Sequence, residues 1–284
     1  MASVRCCPTW SGAEPDSAGY PGPMDHAPHR SGLVVGLDAA SIGSRRGWAL
    51  VAIRVAPGRT GPVVGLAFTR DLAPLVAGRV PELPELDGAR LLAVGIDIPV
   101  GLVATGLRAA DVEGRRALGS RASTLFPIAP RAVVEEPDYD RAKALAQERT
   151  GRKISRQSHG LRKRILEVDE LLRSAPPGAA SWFEVHPELS FAALGGEVVE
   201  APKKTDAGRV RREELLAGVG LLPAIAGEVG ACSELAGRLA PDDLLDAAVV
   251  AWSAARARTG EARRFGRGAL QRDPELDREI LIHA

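Results

Sequence analysis

Short runs of apolar residues, each closed by a turn-forming or acidic residue, recur along the chain and predict strands. The first two runs, LVVGLDAA and GWALVAIRV, are joined by the turn-like SIGSRRG and predict a hairpin. VVGLAFTR predicts a third strand. The continuously apolar run LLAVGIDIP predicts a fourth strand that is buried on both faces. SWFEVHPELSF predicts a fifth strand with a short helix behind it.

Between the fourth and fifth strands, from about residue 101 to residue 177, the pattern becomes helical and is interrupted by prolines. One segment has apolar residues at helical spacing, at Leu161, Ile165, Val168 and Leu172. This spacing leaves Arg162 to Arg164 toward solvent. We therefore predict a helical insertion that covers one edge of the sheet. Two further helices are predicted at GRVRREELLAGVG and DDLLDAAVVAWSAARAR.

The order of these elements predicts an α/β domain over residues 32–262, with a mixed five-stranded sheet flanked by helices. Residues 1–31 hold Pro, Gly, Ser and Asp with almost no aliphatic side chains. We expect them to form a disordered N-terminal extension, in which Met24 is an alternative start to Met1. Residues 263–284 are expected to form a charged C-terminal tail that frays.

The charge balance and the cysteine content exclude several classes of protein. Lys and Arg number 37 and Asp and Glu 36, so the surface is not uniformly basic and nucleic acid would need a local patch. The three cysteines form neither a paired disulfide framework nor a CxxC metal motif, which favours a reducing cytoplasm. No run of about 18 apolar residues predicts a membrane span. The oligomeric state stays open, a homodimer included.

Acidic residues follow two of the predicted strands. Asp38 and Asp97 each end an apolar run, and Asp243 and Asp246 lie three apart near the start of the last predicted helix. Hard carboxylate oxygens are the ligands that Mg²⁺ and Mn²⁺ prefer, so these residues are candidate metal ligands. The alternative is structural, because an Asp after a strand often serves a turn and Asp242 is placed to cap the helix after Pro241.

Several blocks of the sequence occur together in an order that resembles a known family. They are GLDAA with GWALVAI, GIDIPVGL, the RRALGSRASTLF run, ISRQSHGLRKRILEVDELL, FEVHPELSF, PKKTDAGRVRREELL and DDLLDAAVVAW. Across roughly residues 33 to 260 the chain resembles the DUF429 family of predicted nucleases with a ribonuclease-H-like (RNase H-like) fold. The resemblance implies metal-dependent hydrolysis of phosphodiester bonds in nucleic acid.

The resemblance also implies which acids act. Asp38 matches the first-strand acid of RNase H-like enzymes, Asp97 is similar to the fourth-strand acid of Holliday-junction-resolvase relatives, and Asp246 with Asp243 resembles their last-helix acids. Such acids would hold two ions, Mg²⁺ or Mn²⁺, about 3.5–4 Å apart. Asp97 is shorter than the glutamate usual at its position. The kind of nucleic acid, whether DNA, RNA, a hybrid or a junction, stays open.

Two residues of the fifth strand are further candidates. Glu184 and His186 alternate along FEVHPE, which predicts that they share one face of the strand. Glu184 would then be an additional metal ligand and His186 a proton donor to the leaving group. The alternative for His186 is a hydrogen-bonded core histidine.

Polar residues in the other family-like blocks are candidates for binding substrate phosphates. These are Arg121, Ser123, Arg156, Gln157, Lys203 and Lys204. The alternative is a solvated surface, which we prefer for Arg162 to Arg164. With two Tyr, five Phe and four Trp in the chain, an aromatic platform for stacking single strands is not indicated.

Two rival functions remain from the sequence. One is a non-catalytic nucleic-acid-binding module that keeps the fold. The other is an actin-like or sugar-kinase-like ATPase, which shares the first-strand Asp and the hairpin but needs a second such domain and a Gly-rich adenosine motif. The sequence holds one copy and has no P-loop.

Overall fold

One mixed sheet of five strands organises the fold in the computed structural model, which describes residues 31–57, 59–86, 88–222 and 238–284. The strands are β1 (Gly32–Ile42), β2 (Arg45–Ala56), β3 (Arg59–Thr69), β4 (Leu91–Ile96) and β5 (Ser181–Glu184). Their spatial order is β3-β2-β1-β4-β5. The predicted five-stranded α/β fold is confirmed. The extension predicted at residues 1–31 lies outside the described residues, apart from Ser31.

The strands divide into an antiparallel half and a parallel half. β1, β2 and β3 form an antiparallel meander, whereas β4 runs parallel to both β1 and β5. The hairpin between β1 and β2 turns at Gly43, whose φ of 58° favours glycine. Parallel strands need a crossover, and the one between β4 and β5 contains the predicted helical insertion.

The helices cover both faces of the sheet. They are α1 (Ala73–Val76), α2 (Ala109–Leu118), α3 (Arg131–Glu135), α4 (Tyr139–Thr150), α5 (Arg156–Gly160), α6 (Arg162–Arg173), α7 (Pro187–Gly195), α8 (Asp206–Gly218) and α9 (Pro241–Thr259). None of the helices that the structure describes has the length and apolarity to span a bilayer.

The insertion packs on a face of the sheet, which corrects the prediction that it covers an edge. Ile165 and Val168 of α6 lie in one apolar core with Leu33 and Leu37 of β1. The helical spacing of these residues was predicted correctly. The face of the sheet on which they pack depends on the direction of the connection between β4 and β5. α9 packs on the other face, where its small residues share a second core with Val34.

Two glycines allow α9 to lie unusually close to the sheet. A Cβ built on Gly36 of β1 would lie 2.1 Å from the Ala247 carbonyl oxygen, and one on Gly95 of β4 would lie 2.8 Å from the Val250 carbonyl oxygen. Side chains at these positions would push the helix away. Each glycine stands two residues before an aspartate, Asp38 or Asp97, so the close approach brings the helix to both acids.

The C-terminal residues are folded, which corrects the prediction of a fraying tail at 263–284. β6 (Arg264–Phe265) pairs with β9 (Ile282–His283), and β7 (Arg272–Asp273) pairs with β8 (Arg278–Glu279). Ile280, Ile282 and Ala284 are buried. Asp273 fastens the segment to the insertion, because its Oδ2 accepts hydrogen bonds from the Leu102 amide at 2.6 Å and from Arg131 at 2.8 Å. The segment is charged, and Asp273 and Glu275 form ion pairs with Arg131 of the insertion.

Candidate functional site

Asp38 and Asp97 lie side by side on the two central strands. Asp38 is in β1 and Asp97 follows β4, and the Asp97 amide donates to the Leu37 carbonyl at 3.0 Å. Asp38 lies two residues after Gly36 and Asp97 two residues after Gly95. Side chains two apart in a strand share a face, so both acids face α9, as the two glycines do. The parallel register of β1 and β4 pairs Leu37 with Ile96, the residues that precede the two acids.

Asp246 brings a third carboxylate from α9. It is 3% exposed, in the second turn of the helix, and it lies one residue before Ala247, which contacts Gly36. Lys203, from the segment before α8, donates from Nζ to Asp246 Oδ2 at 2.5 Å and lies 3.8 Å from Asp242. We call Asp38, Asp97 and Asp246 the acidic cluster.

The acidic cluster holds more negative charge than its one lysine balances. Burial, followed by repulsion from Asp246 and Asp97, raises the pKa of Asp38 well above its ordinary value. Burial also raises the pKa of Asp97 to about 7 and that of Asp246 to about 6, in each case against the attraction of Lys203. The neighbouring Asp38 carboxyl, whose effect is smaller than that of Lys203, also lowers the pKa of Asp97. The Lys203 ammonium thus compensates the charge of the cluster only in part.

Asp243 stands at the edge of the acidic cluster in the first turn of α9. It is partly buried, and burial and the neighbouring Asp242 raise its pKa. Asp242 does not cap the helix as predicted, because Ala240 is the N-cap and no side chain bonds there. Pro241 occupies the first helical turn, where the missing amide hydrogen costs nothing.

Glu188 is a further acid of the site that the sequence analysis missed. It lies in the first turn of α7, and its charge raises the pKa of both Asp97 and Asp246. Arg212 donates to Glu188 Oε2 at 2.7 Å, and Arg121 lies 3.3 Å from Oε1. The signal was present in FEVHPE, where Glu188 follows His186 by two residues.

Glu184 lies on the opposite face of the sheet from the acidic cluster. Trp182, two residues earlier, packs in the core under the insertion, whereas Phe183 packs on the α9 side. Glu184 Oε2 accepts hydrogen bonds from Arg108 and, at 2.7 Å, from the Val100 amide. Burial raises the pKa of Glu184 to about 7, against the attraction of Arg108 and the hydrogen bond from the Val100 amide. The structure therefore does not bring Glu184 to the predicted metal site.

His186 is the N-cap residue of α7. Its Nε2 lies 3.4 Å from the Thr124 carbonyl oxygen, and Glu188, Asp246 and Asp111 act on it electrostatically. Burial lowers its pKa, so the imidazole is neutral at neutral pH. This favours the hydrogen-bonded histidine over the predicted proton donor.

The predicted phosphate-binding residues occupy different places. Lys203 binds Asp246 directly, Lys204 is exposed beside Asp243, and Arg121 binds Glu188. Ser123 and Gln157 are exposed, and Arg156 stacks on Tyr139 of α4 at 4.2 Å within the insertion. The structure places Lys203, Lys204 and Arg121 next to the acids of the site.

The side chains of the acidic cluster are of the kind that binds a divalent ion, but they are not arranged around one. Three carboxylates on three elements are the hard oxygen donors that Mg²⁺ and Mn²⁺ prefer. Among the described residues, however, no group of three or more His, Cys, Asp or Glu side chains is arranged to hold a metal ion. The ammonium of Lys203 bonds to Asp246 instead. An ion at Asp246 would therefore compete with the Lys203 ammonium.

Comparison with known proteins identifies a family. The chain matches the model of DUF429, described as a protein of unknown function, over residues 36–269. No curated protein and no solved structure matches the chain. The matched range contains all five strands of the sheet from Gly36 on, the insertion and α9, and therefore every residue of the acidic cluster. The chain belongs to the DUF429 family.

Proposed function

We propose that this protein hydrolyses phosphodiester bonds of nucleic acid with the help of Mg²⁺ or Mn²⁺. The observation that carries the proposal is the convergence of Asp38, Asp97 and Asp246 from β1, β4 and α9, with one lysine among them. Buried acids that repel one another cost stability in the absence of a cation. Such an arrangement is typical of functional sites rather than of cores.

The sheet supports the same proposal. Its order β3-β2-β1-β4-β5, with three antiparallel strands followed by two parallel ones, resembles that of RNase H-like nucleases. In that resemblance the acids of the first strand, the fourth strand and the last helix bind the metal. Asp38, Asp97 and Asp246 occupy the corresponding elements.

The residues of the chain would share the work as follows. Asp38, Asp97 and Asp246 would hold the ion, with Asp243 at the edge. Lys203 would release Asp246 and bind the negatively charged substrate instead. Lys204 is exposed beside Asp243 and is free to meet a phosphate. When bound, a divalent ion makes water a stronger nucleophile and stabilises negative charge on the leaving oxygen.

One observation favours a second candidate, a nucleic-acid-binding module without catalysis. Lys203 already bonds to Asp246, and no described group of acids is arranged around a metal. If Lys203 stays in place during binding, the fold is retained while the reaction is lost. The ATPase alternative finds less support, since the described residues form a single five-stranded sheet and two small two-stranded ones.

A cleavage assay with end-labelled substrates separates the two candidates. Purified protein with Mn²⁺ is incubated with single-stranded and duplex DNA, RNA, an RNA–DNA hybrid and a branched junction. We expect at least one substrate to be cleaved, and we expect Asp97→Asn to lose that cleavage because it removes a ligand from the acidic cluster. Binding without cleavage supports the module. Cleavage that Asp97→Asn retains in full contradicts the proposed site.

A further inference from the structure

The hairpin of β1 and β2 continues past the acidic cluster at the end of the sheet. Asp38 pairs with Ala49, and the ladder runs on until Ile42 pairs with Arg45. At a rise of about 3.3 Å per residue, the hairpin therefore reaches about 13 Å beyond Asp38. Arg45 stands at this outer end and is exposed.

Arg45 lies on the same face of the sheet as the acidic cluster. Residues opposite each other in an antiparallel pair share a face, and so do residues two apart in one strand. Ala40 and Ile42 follow Asp38 at this spacing and lie in the core under α9. Since Arg45 is opposite Ile42, its side chain belongs to the α9 face as well.

Gly47 allows a second arginine to reach this face. Arg70 follows β3 directly and is exposed. A Cβ built on Gly47 would lie 3.1 Å from Cγ of Arg70, and Gly47 is opposite Ala40 of the α9 face. The side chain of Arg70 therefore packs beside the backbone of Gly47, two residues from Arg45 along β2.

The insertion covers the opposite face of this hairpin. The guanidinium carbon of Arg164 lies 4.7 Å from the centre of the Trp48 ring, and Trp48 is 2% exposed. The sequence analysis placed Arg164 in solvent with its two neighbours. That prediction is wrong for Arg164, because β2 supplies an aromatic partner that helical spacing does not reveal. On the α9 face, by contrast, Arg45 and Arg70 stay exposed.

The charges of Arg45 and Arg70 are not neutralised by the part of the protein that the structure describes. Within that part, neither side chain forms an ion pair or a hydrogen bond. Arg45 stands farther from Asp38 than the screening length of about 8 Å at physiological ionic strength, so the acids repel an anion at Arg45 only weakly. Exposed guanidinium groups match the geometry of phosphate and commonly hold the backbone of nucleic acid.

We propose that Arg45 and Arg70 bind the phosphate backbone of a nucleic-acid strand where it continues past the acidic cluster. Each strand of a duplex carries one phosphate per about 3.4 Å of its axis, so the reach of the hairpin corresponds to about four nucleotides. The substrate is then a polynucleotide chain of at least this length. That the strand reacts at the acidic cluster rests on the proposed function, whereas binding by Arg45 and Arg70 needs neither a metal ion nor cleavage.

The test measures binding by the full chain in EDTA, so that neither a metal ion nor cleavage contributes. The probes are a labelled single-stranded RNA and a labelled DNA duplex, each long enough to span the hairpin and the acidic cluster. Arg45→Gln/Arg70→Gln removes both charges, and Arg45→Lys/Arg70→Lys keeps them. Arg54→Gln/Arg59→Gln is the matched control, because these arginines are exposed at the other end of β2 and β3.

We expect Arg45→Gln/Arg70→Gln to weaken binding roughly tenfold or more. The slope of log K against log salt concentration should fall by about 1.4 for the single strand and about 1.8 for the duplex, since two phosphate contacts are lost. The Arg54/Arg59 variant should keep the affinity and the slope of the wild type. The Arg45→Lys/Arg70→Lys variant should keep most of the slope, because it keeps the charges.

Several results would overturn the role of Arg45 and Arg70. These are an equal loss in the two Gln variants, no loss in either, and a wild type that binds neither probe. Displacement of the probes by polyglutamate as readily as by unlabelled nucleic acid would also overturn it and would indicate an acidic protein partner. A loss confined to Arg45→Gln/Arg70→Gln, in a protein that cleaves nothing with Mn²⁺, supports the contact and contradicts the nuclease proposal. Cleavage with Mn²⁺ by a protein whose binding does not depend on the two arginines overturns the contact alone.

Discussion

Two groups of buried carboxylates lie on opposite faces of the same sheet and differ in how their charge is balanced. Under the insertion, Arg108 donates to Asp111 at 3.0 Å and also to Glu184. The backbone amide of Ile128 donates a further hydrogen bond to Asp111, and that of Val100 donates one to Glu184. Under α9, Lys203 is the one cation that bonds to an acid of the acidic cluster in the described structure, and it bonds to Asp246. Burial is common to both groups, so the difference lies in compensation.

This difference separates a structural network from a candidate site. Each acid around Arg108 has both a cation and a backbone donor, which is how buried charges are stabilised in a core. In the acidic cluster, by contrast, Lys203 bonds to Asp246, and repulsion from Asp246 and Asp97 adds to burial in raising the pKa of Asp38. The acidic cluster has one lysine for three acids, whereas the Arg108 network has one arginine for two acids that also accept backbone hydrogen bonds. The acidic cluster is therefore the better place for a further cation.

The largest effect is expected from removing the cation of the balanced network. Arg108 is 1% exposed, so Arg108→Met leaves Glu184 and Asp111 buried without their partner. We expect a loss of about 3–5 kcal/mol in the free energy of unfolding. Urea denaturation measures it, with the exposed Arg116→Met on the same helix as the control. A loss under about 1 kcal/mol would mean that the network does not depend on Arg108.

A smaller effect is expected from removing the cation of the acidic cluster. The side chain of Lys203 is 35% exposed, so solvent screens its interaction and Lys203→Met should cost only about 1 kcal/mol at pH 7. The same variant should bind Mn²⁺ more tightly, because the ion no longer competes with the ammonium for Asp246. Calorimetric titration with Mn²⁺ measures this, with the exposed Lys204→Met as control. Weaker binding by Lys203→Met would show that the lysine supports the ion.

A third expected effect is a dependence of stability on pH. The pKa of Asp97 is raised to about 7 and that of Asp246 to about 6, so the folded protein binds more protons than the unfolded chain between about pH 4 and pH 7. Without metal, the contribution of these groups is therefore full below about pH 4 and is lost as the pH rises to 7. Asp97→Asn should flatten the decline seen by urea denaturation. Parallel curves for both proteins would contradict the raised pKa of Asp97.

The sequence predicted the acidic cluster because its signals are local. Asp38 and Asp97 each end an apolar strand, and Asp246 lies in a helix that begins with acids. The repeated Gly-x-Asp of GLD and GID held a further clue, since Gly36 and Gly95 let α9 approach both acids.

The failures came from contacts between distant parts of the chain. Alternation along FEVHPE could not show that Glu184 faces away from α9, because that depends on Arg108, 76 residues earlier. The C-terminal segment was predicted to fray because the sequence does not show that Asp273 accepts hydrogen bonds from Leu102 and Arg131. The phosphate-binding role of Lys203 stays a prediction, but its bond to Asp246 could be found only from the fold.

The measurement that tests the central claim most directly is the change in Tm on adding Mn²⁺ to the wild type, Asp246→Asn and Glu184→Gln. A ligand that binds only the folded state at one hundred times its Kd stabilises it by about 2.7 kcal/mol. We predict that the wild type shows such a rise and that Asp246→Asn loses it while keeping or raising its metal-free Tm, because one repelling charge is removed. Glu184→Gln should melt lower than the wild type without metal and still show the full rise. A full rise in Asp246→Asn, or its loss in Glu184→Gln alone, would contradict the assignment of the ion to the acidic cluster.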